Sequence, residues 1–133
     1  MRFMIIVKAT PESEAGLMPG QEVFDAMAAY HEELARAGVL LDGSGLHPSS
    51  KGWRITWKDG RKTITDGPFS ETRELVAGYT LIQTRTREEA FEWARRFPNP
   101  GINDGEIEVR QLYELEDFKG FTDVERFRAI EML

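Results

Sequence analysis

The sequence predicts an α+β fold, an antiparallel sheet with helices packed on one face. Two segments carry apolar residues at helical spacing and are separated by extended, β-rich runs. Between them lies a hairpin signal centred on Asp59-Gly60. The length of 133 residues, 41% hydrophobic content, 8 Phe, 3 Trp and 3 Tyr suffice for one core and not for two. The whole chain, 1–133, is therefore expected to be one domain, with 119–133 as a C-terminal helical extension.

Each element has its own reason. Arg2 to Ala9 is a compact run of Phe, Met, Ile and Val, the length of a strand with both faces at least partly covered, and is read as a central strand. Pro11 to Gly20 reads as a polar connection. Val23, Met27, Tyr30, Leu34 and Ala37 then recur at steps of three and four, the stripe of an amphipathic helix, which Gly38 ends. Val39 to Leu46 is extended, and Pro48-Ser49-Ser50 closes it as a loop. Trp53–Trp57 and Lys62–Thr65 flank Asp59-Gly60. A two-residue type I′ turn there pairs Lys58 with Arg61, Ile55 with Ile64 and Trp53 with Asp66. Directly paired residues share a face, so Asp66 is expected beside Trp53, Ile55, Trp57 and Ile64 on an apolar surface.

Leu75 to Gln83 is a further strand, with Ala77, Tyr79 and Leu81 on one side and Gly78, Thr80 and Ile82 on the other. Thr86 and Glu89 have capping-box spacing, and Ala90, Trp93, Ala94 and Phe97 form the buried stripe of a second helix stopped by Pro98-Asn99-Pro100-Gly101. Glu106 to Tyr113 is a last strand with Ile107 and Val109 inward, and Val124, Phe127 and Ile130 mark a short terminal helix starting near Thr122. The order β–α–β–hairpin–β–α–β is that of a ferredoxin-like sandwich. Met4, Ile6, Tyr79, Leu81 and both hairpin tryptophans make the other side of such a sheet apolar too, so a second copy is expected to cover it as a homodimer.

Composition excludes several functions. Seventeen Lys plus Arg against twenty-three Asp plus Glu give −6, the wrong sign for a protein whose main ligand is nucleic acid. The absence of cysteine removes disulfides, thiolate zinc, iron–sulfur clusters and Cys nucleophiles. No apolar run approaches the roughly 18 residues of a spanning helix and no signal-peptide plan is visible, so a soluble cytoplasmic protein without membrane contact is the expectation. No Gly-x-Ser-x-Gly elbow, phosphate-binding glycine loop or dinucleotide fingerprint occurs, and no His spacing supports a metal site. No cofactor is expected.

Chemistry then rests on few side chains. Asp66 on an apolar surface would be partly desolvated, which suits general acid or base work; the competing reading is an Asx-type turn onto the amides beyond Gly67. His31 lies beside the Met27/Leu34 edge of the first helix and can point toward the sheet as a proton acceptor, or pack there as a core-margin histidine. His47, before Pro48, reads as a solvated loop residue. Glu71, Arg73 and Glu74 form a mixed-charge cluster after the Asp66 turn, of a kind that is commonly a solvated face, and Phe69 stands within that turn. Trp53, Trp57, Tyr79 and Tyr113 could line a pocket for a small aromatic molecule, although such a strand face is commonly core or interface.

The run Asp66-Gly67-Pro68-Phe69-Ser70-Glu71-Thr72-Arg73-Glu74, followed by Gly78-Tyr79, resembles the signature of the DGPF-type branch of the YCII-related family. Ala37-Gly38-Val39-Leu40, Gly45-Leu46-His47-Pro48, Glu89 to Ala94, Arg96 to Pro100 and Gly105 to Arg110 follow in the order of that branch. The resemblance implies a ferredoxin-like domain paired into a dimeric α+β barrel, with a cleft between sheet and helices. Some relatives carry a His–Asp pair and move a proton on a small ring compound as lyases or isomerases. Aligned on Gly38 and Trp93, this sequence has Met27 in place of their histidine and Phe97 in place of their aspartate. His31 and Asp66 would substitute for that pair if they met across the cleft. The resemblance also implies a regulatory alternative, a companion of an extracytoplasmic-function sigma factor. Binding of a small molecule in the cleft is the leading expectation.

Overall fold

The structure is a computed structural model and describes residues 1–130. Strand β1 (Arg2–Lys8) is followed by a one-turn helix α1 (Pro11–Glu14) and the long helix α2 (Gln21–Arg36). Then come β2 (Leu40–Gly45), the hairpin β3 (Trp53–Lys58) and β4 (Arg61–Asp66), β5 (Val76–Gln83), α3 (Arg87–Arg95), β6 (Ile107–Gln111) and a short α4 (Glu125–Ala129). The main sheet has the order β2-β5-β1-β6 with every pair antiparallel, and β1 lies inside it. Leaving the hairpin aside, this is the strand order of a ferredoxin-like sandwich, with α2 and α3 as its two crossovers.

The element boundaries follow from local chemistry. The stretch read as a polar connection contains α1. Thr10 caps it by accepting from Ser13 N, while the Ser13 hydroxyl oxygen accepts from Thr10 N, and Pro11 occupies the first turn. Helix α2 ends as expected, at Gly38, whose φ of +74° lies where a side chain is strained. At α3, Thr86 accepts from Glu89 N, but the Glu89 carboxylate reaches Arg85 N, one residue before the cap.

The core forms where the apolar stripes of the helices meet one face of the sheet. Phe3, Ile5 and Ile82 from the strands bury against Tyr30, Leu34, Val39, Ala90 and Ala94. Each fully buried aliphatic side chain contributes ~1.5–3 kcal/mol relative to exposure. Register puts Ile5 opposite Thr80 and Val109, so Thr80 is a hydroxyl placed within this apolar face. On the opposite face, Met4 pairs with Leu81 and Ile6 with Tyr79, the apolar second surface that the alternation implied.

The hairpin departs from expectation. Its register is the one Asp59-Gly60 dictates, with Trp53 opposite Asp66, Ile55 opposite Ile64 and Lys58 opposite Arg61. It does not join the main sheet, however, and forms a separate two-stranded sheet with both strands exposed throughout. Its tryptophans therefore do not contribute to the second face of the main sheet. The terminal helix also differs: Phe127 and Ile130 remain exposed, and positions 131–133 of the expected 119–133 extension lie outside the described residues.

Candidate functional site

The sheet–helix cleft is built by β1, α2, β2, β5 and the segment after α3. It encloses about 310 Å³ and is lined by Val7, Met27, His31, Phe97 and Pro100, with the Gly43-Ser44-Gly45 run and the Ala77–Thr80 stretch closing the sheet side. No Asp, Glu, Lys or Arg lines it. The glycines matter to its shape. A Cβ on Gly43 would sit 3.7 Å from the His31 ring, and one on Gly78 would press within 2.9 Å of Ser44 O, so β2 and β5 approach here without side chains between them.

His31 is the polar centre of this cleft. One turn earlier on α2, the Met27 carbonyl lies 2.7 Å from Nδ1, and the Thr80 hydroxyl lies 2.8 Å from Nε2. A carbonyl only accepts, so Nδ1 carries the proton. In the neutral ring Nε2 then takes its hydrogen bond from the Thr80 hydroxyl. Both ring nitrogens are therefore oriented by protein atoms. The imidazole also stands edge-on to Tyr30 at 5.6 Å between centroids and to Phe97 at 6.2 Å. Tyr30 in turn donates to the Trp93 carbonyl at 2.6 Å, and burial pushes its phenol up to about 12. Helix α3 thus holds the wall of the cleft through Tyr30.

The candidate residues from the sequence divide into two groups. His31 lies in the cleft. Tyr79 borders it, but its side chain belongs to the opposite face, where its hydroxyl donates to Asp42 Oδ2 at 2.9 Å and that acceptor raises the phenol's pKa. Asp66, Trp53, Trp57, Phe69, Glu71 and Arg73 do not line the cleft.

For Asp66 this corrects the expected inward placement: the carboxylate is exposed, and the structure does not bring it to His31. Pairing parity fixes which residues share a hairpin face but not what that face meets. The base of the hairpin shows why it stands apart. Gly67 N donates to Gly52 O at 3.0 Å, and Phe69 N donates to Ser49 Oγ at 3.0 Å. Ser49 is held in turn by Glu14 of α1, which accepts from its amide at 2.9 Å and from its hydroxyl. A Cβ on Gly67 would lie 1.8 Å from Ser49 O, so only glycine fits this crossing. Phe69 sits under the Arg54 guanidinium at 3.8 Å. Arg73 borders a separate polar hollow of about 550 Å³ with Thr10, Glu12 and Asn103, where the Asn103 amide lowers the Glu12 pKa.

Thr80, Phe97 and the Gly43–Gly45 run escaped the sequence reading as site residues. A threonine between Gly78 and Ile82 on an alternating strand was the available signal for Thr80. Met27 and Phe97, the positions that the resemblance would align with a His–Asp pair, line the same cleft as His31. Among the described residues no group of three or more His, Cys, Asp and Glu could hold a metal ion, and no helix is long and apolar enough to cross a membrane.

Comparison with known proteins identifies relatives and a family. An uncharacterised protein of Rhizobium meliloti (strain 1021) is 30% identical over 92 residues, spanning 69% of this chain and 74% of that protein. A solved structure of 5-chloro-2-hydroxyhydroquinone dehydrochlorinase from Burkholderia phenoliruptrix AC1100, in complex with 2,5-dihydroxybenzoquinone, is similar at 15% identity. It covers 86% of this chain and 95% of that one, with a TM-score of 0.47. The model of the YCII-related domain matches residues 1–116, and the chain belongs to that family.

Proposed function

We propose that the protein binds a small, uncharged molecule in the sheet–helix cleft, with His31 as the polar contact that orients it. The observation that carries this reading is the combination of an apolar, charge-free lining with one imidazole whose two nitrogens are already oriented. A volume of about 310 Å³ suits a single substituted ring. A charged ligand would enter without a counter-charge among the lining residues, at a desolvation cost. A proton-transfer reaction at this site would have to run through His31, since Asp66 is on the hairpin.

A thermal-shift screen of neutral ring compounds tests the proposal, using the wild type and Gly43→Val. The new side chain points at His31 from an exposed edge strand and narrows the cleft without touching the core. At ten times its dissociation constant a ligand adds about 1.4 kcal/mol, a rise of about 3–5 °C in Tm for a chain of this size. Ligands that stabilise the wild type should not stabilise Gly43→Val. Hits that stabilise both proteins equally would place binding elsewhere. Turnover of a hit that disappears in His31→Gln would add catalysis to binding.

A further inference from the structure

The sheet side of the cleft is nearly bare of side chains. Gly43 lies opposite Thr80 and Gly45 opposite Gly78, and paired residues share a face, so three glycines surround a single hydroxyl on the side that faces α2. Ser44 and Tyr79, paired with each other, project from the opposite side. Thr80 is only 2% exposed, yet it lines the cleft. Donors and acceptors on the Thr80–His31 pair leave one vacancy. The Met27 carbonyl, 2.7 Å from Nδ1, requires a proton on that nitrogen, so neutral His31 offers Nε2 as an acceptor. The single hydrogen of the Thr80 hydroxyl goes to Nε2 at 2.8 Å. Both imidazole nitrogens are then occupied. The Thr80 oxygen keeps a lone pair, to which no group among the described residues donates. A Cβ at position 43 would lie 3.7 Å from Nε2, beside the Thr80–His31 bond, so glycine leaves the approach to that oxygen open.

We propose that the cleft selects its ligand by a hydrogen-bond donor: a neutral ring bearing an N–H or O–H group donates to Thr80 Oγ1, and His31 holds that oxygen in its accepting state. This assignment rests on ligand binding in the cleft and refines it, since His31 acts on the ligand through the threonine. A ring that presents only a carbonyl or ether oxygen sets lone pair against lone pair. No Lys or Arg lines the cleft to relieve that clash, and the one buried hydroxyl hydrogen is already committed to His31. The ligand's own polar atom is then desolvated without a partner, which costs more than the hydrogen bond it forgoes. A site built around one hydrogen bond therefore discriminates sharply between ring compounds of the same shape.

Matched probes at pH 8 test the proposal: indole against benzothiophene, and 4-chlorophenol against 4-chloroanisole. Affinities are measured by NMR titration of wild type, Thr80→Ser, Thr80→Val, His31→Phe and Gly43→Val. Wild type should bind the N–H or O–H member of each pair roughly tenfold tighter than its partner. Thr80→Ser, which restores the oxygen, should keep that ratio, and Thr80→Val should bring it to within about twofold. In His31→Phe the hydroxyl hydrogen is released, so 1-indanone, which carries only a carbonyl, should gain about fivefold relative to indole. A variant that merely loosens the packing weakens both members of a pair together and leaves the ratio unchanged, which separates a binding role from a structural one. Equal affinities within each pair in wild type, or a preference that survives Thr80→Val, overturn the donor rule while the cleft stands, provided that Gly43→Val abolishes binding. Probes that bind Gly43→Val as tightly as wild type, or that bind neither protein, remove the cleft and the donor rule together.

Discussion

Gly67→Ala tests whether the Asp66–Glu74 run acts as a structural clasp for the hairpin. The added methyl would lie 1.8 Å from Ser49 O and 2.7 Å from Ser49 C, against backbone and not against a side chain that can rotate away. The crossing must therefore open, with loss of the bond from Gly67 N to Gly52 O and strain on the Ser49 hydroxyl that receives Phe69 N. Forcing a methyl into a packed position costs about 1–3 kcal/mol, or roughly a 5- to 150-fold larger open population. Because the hairpin forms its own sheet and supplies nothing to the core, that cost should appear as local opening. Limited trypsinolysis reads it directly, since Lys51, Arg54, Lys58, Arg61 and Lys62 are all exposed. Cleavage within 51–62 should accelerate at least tenfold while the Tm of the remaining fold moves by less than about 3 °C. Glu14→Ala, which frees Ser49 from α1, should act in the same direction more weakly. Unchanged cleavage would show that the crossing is not a clasp, and a cooperative collapse of the whole chain would show that it is not separable from the core.

Further expectations concern the cleft and its supports. Tyr30 is 6% exposed and its folded pKa of about 12 lies above the ordinary 10, so the folded state retains a proton that the unfolded state releases first. The associated stability, of order 2–3 kcal/mol, is complete below pH 10 and is lost as pH rises toward 12; in alkaline denaturant titrations Tyr30→Phe should show a shallower decline. Thr80→Val removes the donor to His31 Nε2 and should cost about 1 kcal/mol or more. In the wild type, ¹⁵N spectra should show the Nδ1–H tautomer, and loss of that preference in Thr80→Val would identify the threonine as its second determinant. Arg2 meets Glu114 through Nε and Nη2 at 2.9 and 3.0 Å, which raises the arginine pKa. Arg2→Met should lower stability by roughly 1 kcal/mol in urea titrations, with a smaller effect at high salt.

Local pattern carried much of this fold. Asp59-Gly60 determined a hairpin register that the structure reproduces pair for pair. The spacing of Tyr30 and Leu34 identified the buried side of α2, and the alternation of Gly78, Thr80 and Ile82 identified one face of β5. The missing information was what each face meets. A period of two cannot show whether Trp53 and Trp57 cover the main sheet or stand clear of it, because that depends on the crossing of Gly52 and Gly67. Nor does helical spacing alone join His31 to Thr80, 49 residues away in sequence. That contact needs the chain direction of β5 beneath α2. The motif at Asp66 drew attention by its composition, yet its glycine explains a backbone approach while the cleft draws on residues from five other segments.

The two outer strands limit how the molecule can meet its own kind. β2 carries Gly43 and Gly45 and a register irregularity between Leu40 and Asp42, and β6 is only five residues long, with Glu108 and Arg110 projecting from it. Short, bent or charged margins of this sort are poor templates for another backbone. Sideways extension into continuous cross-β stacks, of the kind that seeds fibrils, is thereby discouraged, and any self-recognition is steered from the rims to the broad surfaces.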